Sequence, residues 1–209
     1  MNVLYLCGMK VIFLDNDGVI CLSNNWGGRN KKWAKYRSEN PNSSNYKEDA
    51  PADVRFDNFD EKAVRVLNEI LEKTSAEIVV SSDWRFHANL DELGDYYTSQ
   101  GIIKRPFAVT HRTQDINPEL WRVLRFRADL ELERSIEITD WLLKNPQVTH
   151  WVAVDDLNMS VDYLSQHFAA KDPEDDEKPG LTNFVHTPQS NEGIKQSGVK
   201  DKILKFLES

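Results

Sequence analysis

Five short apolar runs punctuate the chain: Val11-Ile12-Phe13-Leu14, Ile78-Val79-Val80, Phe107-Ala108-Val109, Trp151-Val152-Ala153-Val154 and Phe184-Val185. Each is too short for a helix, and most are rich in β-branched or aromatic residues, so they read as strands. Their apolar character is continuous rather than alternating, the pattern of strands covered on both faces in a parallel sheet. Helical periodicity fills the intervals. Ala63, Val66, Leu67, Ile70 and Leu71 make one apolar stripe, with Asp60 placed to cap it. Ile138, Trp141 and Leu142 mark a second helix, which Asn145-Pro146 should end. Val199, Ile203, Phe206 and Leu207 mark a C-terminal one, and Leu120, Trp121, Leu124 and Phe126 an amphipathic helix within 111–133. Strands alternating with helices predict an α/β sandwich around a parallel five-stranded sheet. Residues 22–57 break the rhythm: they are polar, rich in Asn and Ser, and promise neither a strand nor a long helix. Residues 171–180, KDPEDDEKPG, read as a solvated acidic loop, and residues 1–8 as an extension ahead of the first strand.

Composition narrows the class. A length of 209 residues fits one domain with a small insertion. Hydrophobic residues at 40% and charged residues at 29% describe a folded globular protein. Mean hydropathy is −0.58, and no apolar run approaches a membrane span; Val3 to Cys7 is also too short for a signal segment. Cys7 and Cys21 cannot build a disulfide framework, so a reducing compartment, the cytoplasm, is expected, with no disulfide-linked partner. A net charge of −8 argues against a surface coated for duplex DNA.

The candidate chemistry stands at the strand ends. Asp15-Asn16-Asp17-Gly18 directly follows the first strand, and ligands of open α/β sheets bind beyond the carboxyl ends of the strands. Two carboxylates spaced by one residue suit a hard cation such as Mg²⁺. An aspartate there can also act as a phosphoryl nucleophile beside a general acid and base. Alone, this tetrapeptide reads equally well as a turn. Asp155-Asp156 ends the fourth run and should reach the same edge, where four converging carboxylates require a neutralising cation. Ser81-Ser82 follows the second run and offers hydroxyl and backbone donors to a phosphate, although serines also commonly begin loops. Arg85 offers a planar fork of donors for phosphate, or an ordinary ion pair. Two cations, Arg134 and Lys144, flank the helix before the Asp155-Asp156 strand; Lys144 reads more simply as a partner of the helix end.

In this order the motifs resemble those of the haloacid dehalogenase-like (HAD) phosphatase superfamily. The phrases IVVSSDWR, RSIEITDWLL, HWVAVDD and FVHTPQSNEGI are similar to the HAD domain family of Swiss Army Knife RNA repair proteins. The resemblance spans about Val11 to Gly193. It implies a Rossmann-like HAD fold with strand order 5-4-1-2-3 and a small cap or flap insertion after the first strand, residues 19–57, in one domain over 1–209. It implies Asp15 as nucleophile, Asp17 as general acid/base, Ser81 or Ser82 as the second-motif hydroxyl, and Asp155 with Asp156 as the acids of the fourth motif. Arg134 takes the place of the lysine usual in the wider superfamily. The metal would be Mg²⁺, on Asp15, the Asp17 backbone carbonyl, Asp155 and Asp156, with Gly18 and Ser82 beside the phosphate. The reaction implied is phosphomonoester hydrolysis through an aspartyl-phosphate.

The insertion bears on substrate. Arg29, Lys31, Lys32, Lys35 and Arg37 interleave with Trp26, Trp33 and Tyr36, which suits a nucleotide or a single-stranded nucleic-acid end, although the same residues also describe a solvated loop. Another phosphorylated small molecule, a phosphotransferase using the same site, and a catalytically silent HAD-like binding module are the alternatives. No histidine lies at metal-ligand spacing from another histidine or a cysteine.

Overall fold

The first apolar run becomes the centre of the molecule: Val11, Ile12, Phe13 and Leu14 are wholly buried because the sheet continues on both sides of them. The computed structural model describes residues 8–42, 50–127, 129–168 and 179–208. In chain order the elements are β1 (Met9–Leu14), α1 (Gly28–Glu39), α2 (Ala52–Arg55), α3 (Glu61–Thr74), β2 (Glu77–Val80), α4 (Leu90–Ser99), β3 (Ala108–Val109), α5 (Thr113–Ile116), α6 (Pro118–Arg127), α7 (Leu130–Lys144), β4 (Val148–Asp155), α8 (Val161–Phe168), β5 (Phe184–His186) and α9 (Val199–Glu208), with short 3-10 turns at Ser23–Asn25, Asp83–Phe86 and Gly193–Lys195. The sheet is parallel throughout, in the order β3-β2-β1-β4-β5, which is 5-4-1-2-3 read from the other edge. The α/β Rossmann-like fold expected from the alternating pattern is therefore the observed one.

Side chains of β1 alternate between two cores. Ile12 and Leu14 join Leu67, Ile70 and Leu71 of α3 and Ile203 and Leu207 of α9 on one face. Val11 and Phe13 join Ile138 and Trp141 of α7 on the other, where Phe13 meets Trp141 edge to face at 5.4 Å. Asp60 caps α3 by accepting from the Lys62 and Ala63 amides, and α7 ends at Asn145, just ahead of Pro146. The helix expected around Leu120 is α6, with Leu124 buried. β3 is shorter than its apolar run, leaving Phe107 half exposed at the edge of the sheet. The expected extension 1–8, with Cys7, and the acidic loop 171–180 lie outside the described residues apart from Gly8, Pro179 and Gly180.

One expectation is corrected. Residues 22–57 hold a twelve-residue helix, α1, where none was expected. It has no buried residue, so it carries no apolar stripe. Its ends and one side hold it instead. The Gly27 and Arg29 amides donate to the Asp57 carboxylate at 3.1 and 2.6 Å. The Lys32 ammonium reaches the Phe56 carbonyl and Asn58 Oδ1, and Lys35 pairs with Glu39 one turn on.

Candidate active site

Hydrogen bonds of the sheet ladder run past the strand ends and set the loops in place: Asp15 N donates to Val154 O at 3.1 Å, and Ser81 N to Leu14 O at 2.9 Å. The loops after β1, β2 and β4 therefore leave the same carboxyl edge side by side. α7 connects two parallel strands and runs back against them, so its first turns also lie at that edge. Arg134, in the second turn of α7, accordingly reaches both strands: Nη1 lies 2.8 Å from Asp15 Oδ1 and 3.0 Å from Asp155 Oδ2, and Nη2 lies 3.2 Å from Asp83. Lys144, at the other end of the helix, pairs with Asp140 on the exposed surface.

Asp15, Asp155 and Asp156 each place a carboxylate oxygen within 4.8 Å of the other two. Asp15 and Asp155 are almost completely buried. Burial raises the proton affinity of Asp15 well above the carboxylate range, and repulsion from Asp155 adds to it against the pull of Arg134. Burial likewise raises Asp155, with Arg134 opposing. Asp156 is pushed up to about 6, by burial first and then by Asp155. Burial works against the Arg134 charge, but Asp155 and Asp15 outweigh it and hold the guanidinium firmly cationic.

These residues fit a hard divalent cation. The donor set is all carboxylate oxygen, and one guanidinium leaves the cluster with excess negative charge. Gly18, at φ 72°, makes room for it: a Cβ there would lie 2.2 Å from Asp156 Oδ2.

Asp17 stands apart from the cluster. It is half buried, and its Oδ2 accepts the Trp84 indole N–H at 2.8 Å. Burial raises its proton affinity, while Trp84 and the buried Cys21 thiol draw it down. Ser81 Oγ is buried and has no hydrogen-bond partner among the described residues, whereas Ser82 Oγ caps the Asp83–Phe86 turn by accepting from Trp84 N. Arg85 sits behind this loop. Its side chain is 4% exposed, and its fork is held by Glu137 of α7, itself 2% exposed, and by the Ser82 carbonyl at 3.0 Å. A phosphate contact from Arg85 would require Glu137 to release it. Burial, and then repulsion from Arg134, pull the Arg85 proton affinity down against the support of Glu137.

The structure thus gathers Asp15, Gly18, Arg134, Asp155 and Asp156 together, leaves Asp17 close enough to repel Asp15 and Asp156, sets Ser81 at the end of the neighbouring strand, and holds Ser82 and Arg85 in the scaffold. Trp84, Asp83, Glu137 and Asp57 were not read from the sequence. Of these, Asp83, Trp84 and Glu137 sit inside the stretches SSDWR and RSIEITDWLL, and a buried Trp N–H or Glu that must find a partner was the available signal.

The family described as the HAD domain in Swiss Army Knife RNA repair proteins matches residues 11–194. The chain belongs to this family. No curated protein and no solved structure matches it. The HAD match covers every residue of the site described above, and the five-stranded parallel sheet fits such a domain. Among the described residues, no helix is long and apolar enough to cross a membrane.

Proposed function

We propose that this HAD domain is a Mg²⁺-dependent phosphomonoesterase that removes the terminal phosphate of a nucleotide or of a single-stranded nucleic-acid end. One observation carries the reading: a buried Asp15 carboxylate lies within 4.8 Å of two further carboxylates and 2.8 Å from a buried guanidinium. Three carboxylates around one ion match the chemistry of a hard cation, and Asp15 is the member of that set on the central strand. Mg²⁺ on Asp15, Asp155, Asp156 and the Asp17 carbonyl would neutralise charge on the transferring phosphoryl group.

The residues then divide the work. An Asp15 oxygen forms the bond to phosphorus while the bond to the leaving alcohol breaks, and Asp17 gives its proton to the departing oxygen. In the second half, Asp17 takes a proton from water as the water oxygen bonds to phosphorus and the bond to Asp15 breaks. Arg134 holds Asp15 and balances the negative charge. Ser81, buried and unpartnered, donates to a phosphate oxygen, which offsets the roughly 1–3 kcal/mol that an unsatisfied buried hydroxyl costs.

The cap lies in residues 19–57. Arg29 is near enough to lower the proton affinity of Asp17. Lys31, Lys35 and Arg37 are exposed on α1, and Trp26 is 47% exposed at its base. Exposed cations beside an exposed indole suit a phosphate backbone with stackable bases.

The test measures phosphate release from p-nitrophenyl phosphate, nucleoside monophosphates and oligonucleotides carrying 5′- or 3′-phosphates, with Mg²⁺ and with EDTA. Release that needs the metal and is abolished by Asp15→Asn is expected, with nucleotides or oligonucleotide ends preferred. Folded protein that releases phosphate from none of them in Mg²⁺ would overturn the reading.

A further inference from the structure

We propose that Trp84 is a positioning residue for Asp17, fixing through its indole N–H the orientation in which that carboxyl exchanges a proton with the leaving group and with water. The inference rests on the phosphatase reading and deepens it. Trp84 Nε1 donates to Asp17 Oδ2 at 2.8 Å across 67 residues of sequence. Trp84 is 3% exposed, so its N–H has little access to water and depends on this acceptor.

The indole is itself locked. Its ring stacks on Phe56 at 4.3 Å with 7° between the planes, and on Phe59 at 5.4 Å with 19° between them. Tyr96 meets it edge-on at 5.8 Å. The backbone beneath it is the turn that Ser82 caps. Rotating the indole would break this aromatic cluster, so its N–H keeps one direction toward the half-buried Asp17 carboxylate. The locked indole, together with the Cys21 thiol, therefore sets how the Asp17 carboxylate is turned.

The chemistry of the pair suits the role. An indole N–H is a donor only, so it cannot take the proton that Asp17 must deliver. By occupying Oδ2 it leaves that proton to Oδ1. Phe56 belongs to the 19–57 insertion, so the aromatic cluster also ties the base of the cap to the acid/base group.

The experiment separates orientation of a proton donor from general damage by varying the leaving group. Replacing the Trp84 indole by its benzothiophene isostere keeps ring size and stacking and deletes only the N–H; Trp84→Phe is the second variant. For each, kcat/KM is measured on an alkyl phosphate, whose departure needs a proton, and on 2,4-dinitrophenyl phosphate, whose departure does not. Loss of one hydrogen bond to a charged group predicts a fall of about 10- to 100-fold on the alkyl ester. The dinitrophenyl ester is expected to keep its kcat/KM and to show a burst, because water activation by Asp17 slows. In an Asp17→Asn background the isostere should cost nothing further. An equal loss on both esters, or no loss on either, overturns the positioning role. If the wild-type chain releases phosphate from neither these esters nor any of the nucleotides and oligonucleotide ends above, the phosphatase reading falls, and this inference with it.

Discussion

The buried Arg85–Glu137 pair gives the sharpest test of how the site is supported. The partners are 4% and 2% exposed, so each charge depends on the other. Glu137 Oε1 also accepts the Thr113 amide at 2.9 Å, which ties α5 to α7. Glu137→Gln preserves that acceptor and the side-chain volume, removes the negative charge, and turns the oxygen that faces Arg85 into an N–H donor. What remains is a buried guanidinium whose nearest cationic neighbour, Arg134, already repels it. Removing one partner of a buried ion pair costs about 3–5 kcal/mol, because the stranded charge retains its desolvation penalty. For a chain of this size each kcal/mol lowers Tm by roughly 2–4 °C, so a drop on the order of 6–20 °C is expected. Urea denaturation should show the midpoint falling at unchanged slope, the sign that stability and not compactness has changed. Adding Arg85→Met to Glu137→Gln should recover most of the loss, since no charge is left behind and the Thr113 amide keeps its acceptor. A single-variant loss below about 1 kcal/mol, the range of exposed pairs, would refute the reasoning.

Three further outcomes follow from the acidic edge and the cap. Asp156 has its folded pKa raised to about 6 from 3.8, so in metal-free protein its contribution to stability falls as pH rises through that window, and a cation binding below it must displace a proton. The Tm gain on adding Mg²⁺, read by scanning fluorimetry, should therefore be larger near pH ~7.5 than near ~5, and Asp156→Asn should abolish the gain while raising Tm without metal; equal gains at both pH values would contradict this. Gly18→Ala forces a Cβ into the left-handed region at about 1–2 kcal/mol and displaces the Asp156 carboxylate, so the Mg²⁺ concentration for half-maximal stabilisation should rise by about tenfold or more. Asp57→Ala removes the acceptor of two amides at the start of α1, at a cost of about 0.5–2 kcal/mol by analogy with a lost helix cap; amide exchange in α1 should accelerate and KM for oligonucleotide ends should rise, with p-nitrophenyl phosphate hydrolysis unchanged.

What could be read in the sequence followed from burial. β1, β2 and β4 announced themselves because strands covered on both faces are apolar through their buried length, so the Asp residues after β1 and at the end of β4 stood out as chemistry. Asp60 was legible as a cap because the apolar stripe after it has a clear phase. α1 was illegible for the opposite reason: with no buried residue it has no phase, and its anchors, Asp57 and Asn58, lie outside the helix itself. Trp84 and Glu137 were hidden by distance, since their partners stand 67 and 52 residues away and only the packed sheet brings them together. Arg134 was separable from Lys144 only once α7 had a direction: a helix returning between parallel strands puts its first turns, not its last, at the carboxyl edge.

The residue between the two aspartates explains how carboxylates two positions apart come to different surroundings. In an extended strand Asp15 and Asp17 would point to the same side. Asn16 ends the strand instead. Its carbonyl accepts from the amides of Val19, Ile20 and Cys21 at 3.3, 3.0 and 2.8 Å, and its side-chain oxygen accepts the Tyr97 hydroxyl at 2.6 Å. The chain is thus folded into a tight turn immediately after Asp15, pinned from inside by a wholly buried tyrosine on α4. Asp15 stays in the ladder and faces Arg134 and Asp155, while Asp17 is carried around the turn to Trp84. Asp15 and Asp17 therefore sit in different surroundings, one against a buried cation and two acids, the other against an indole and a thiol. That separation suits the roles proposed for them: a nucleophile would share the charge of a bound metal, and a proton donor must keep a proton to give.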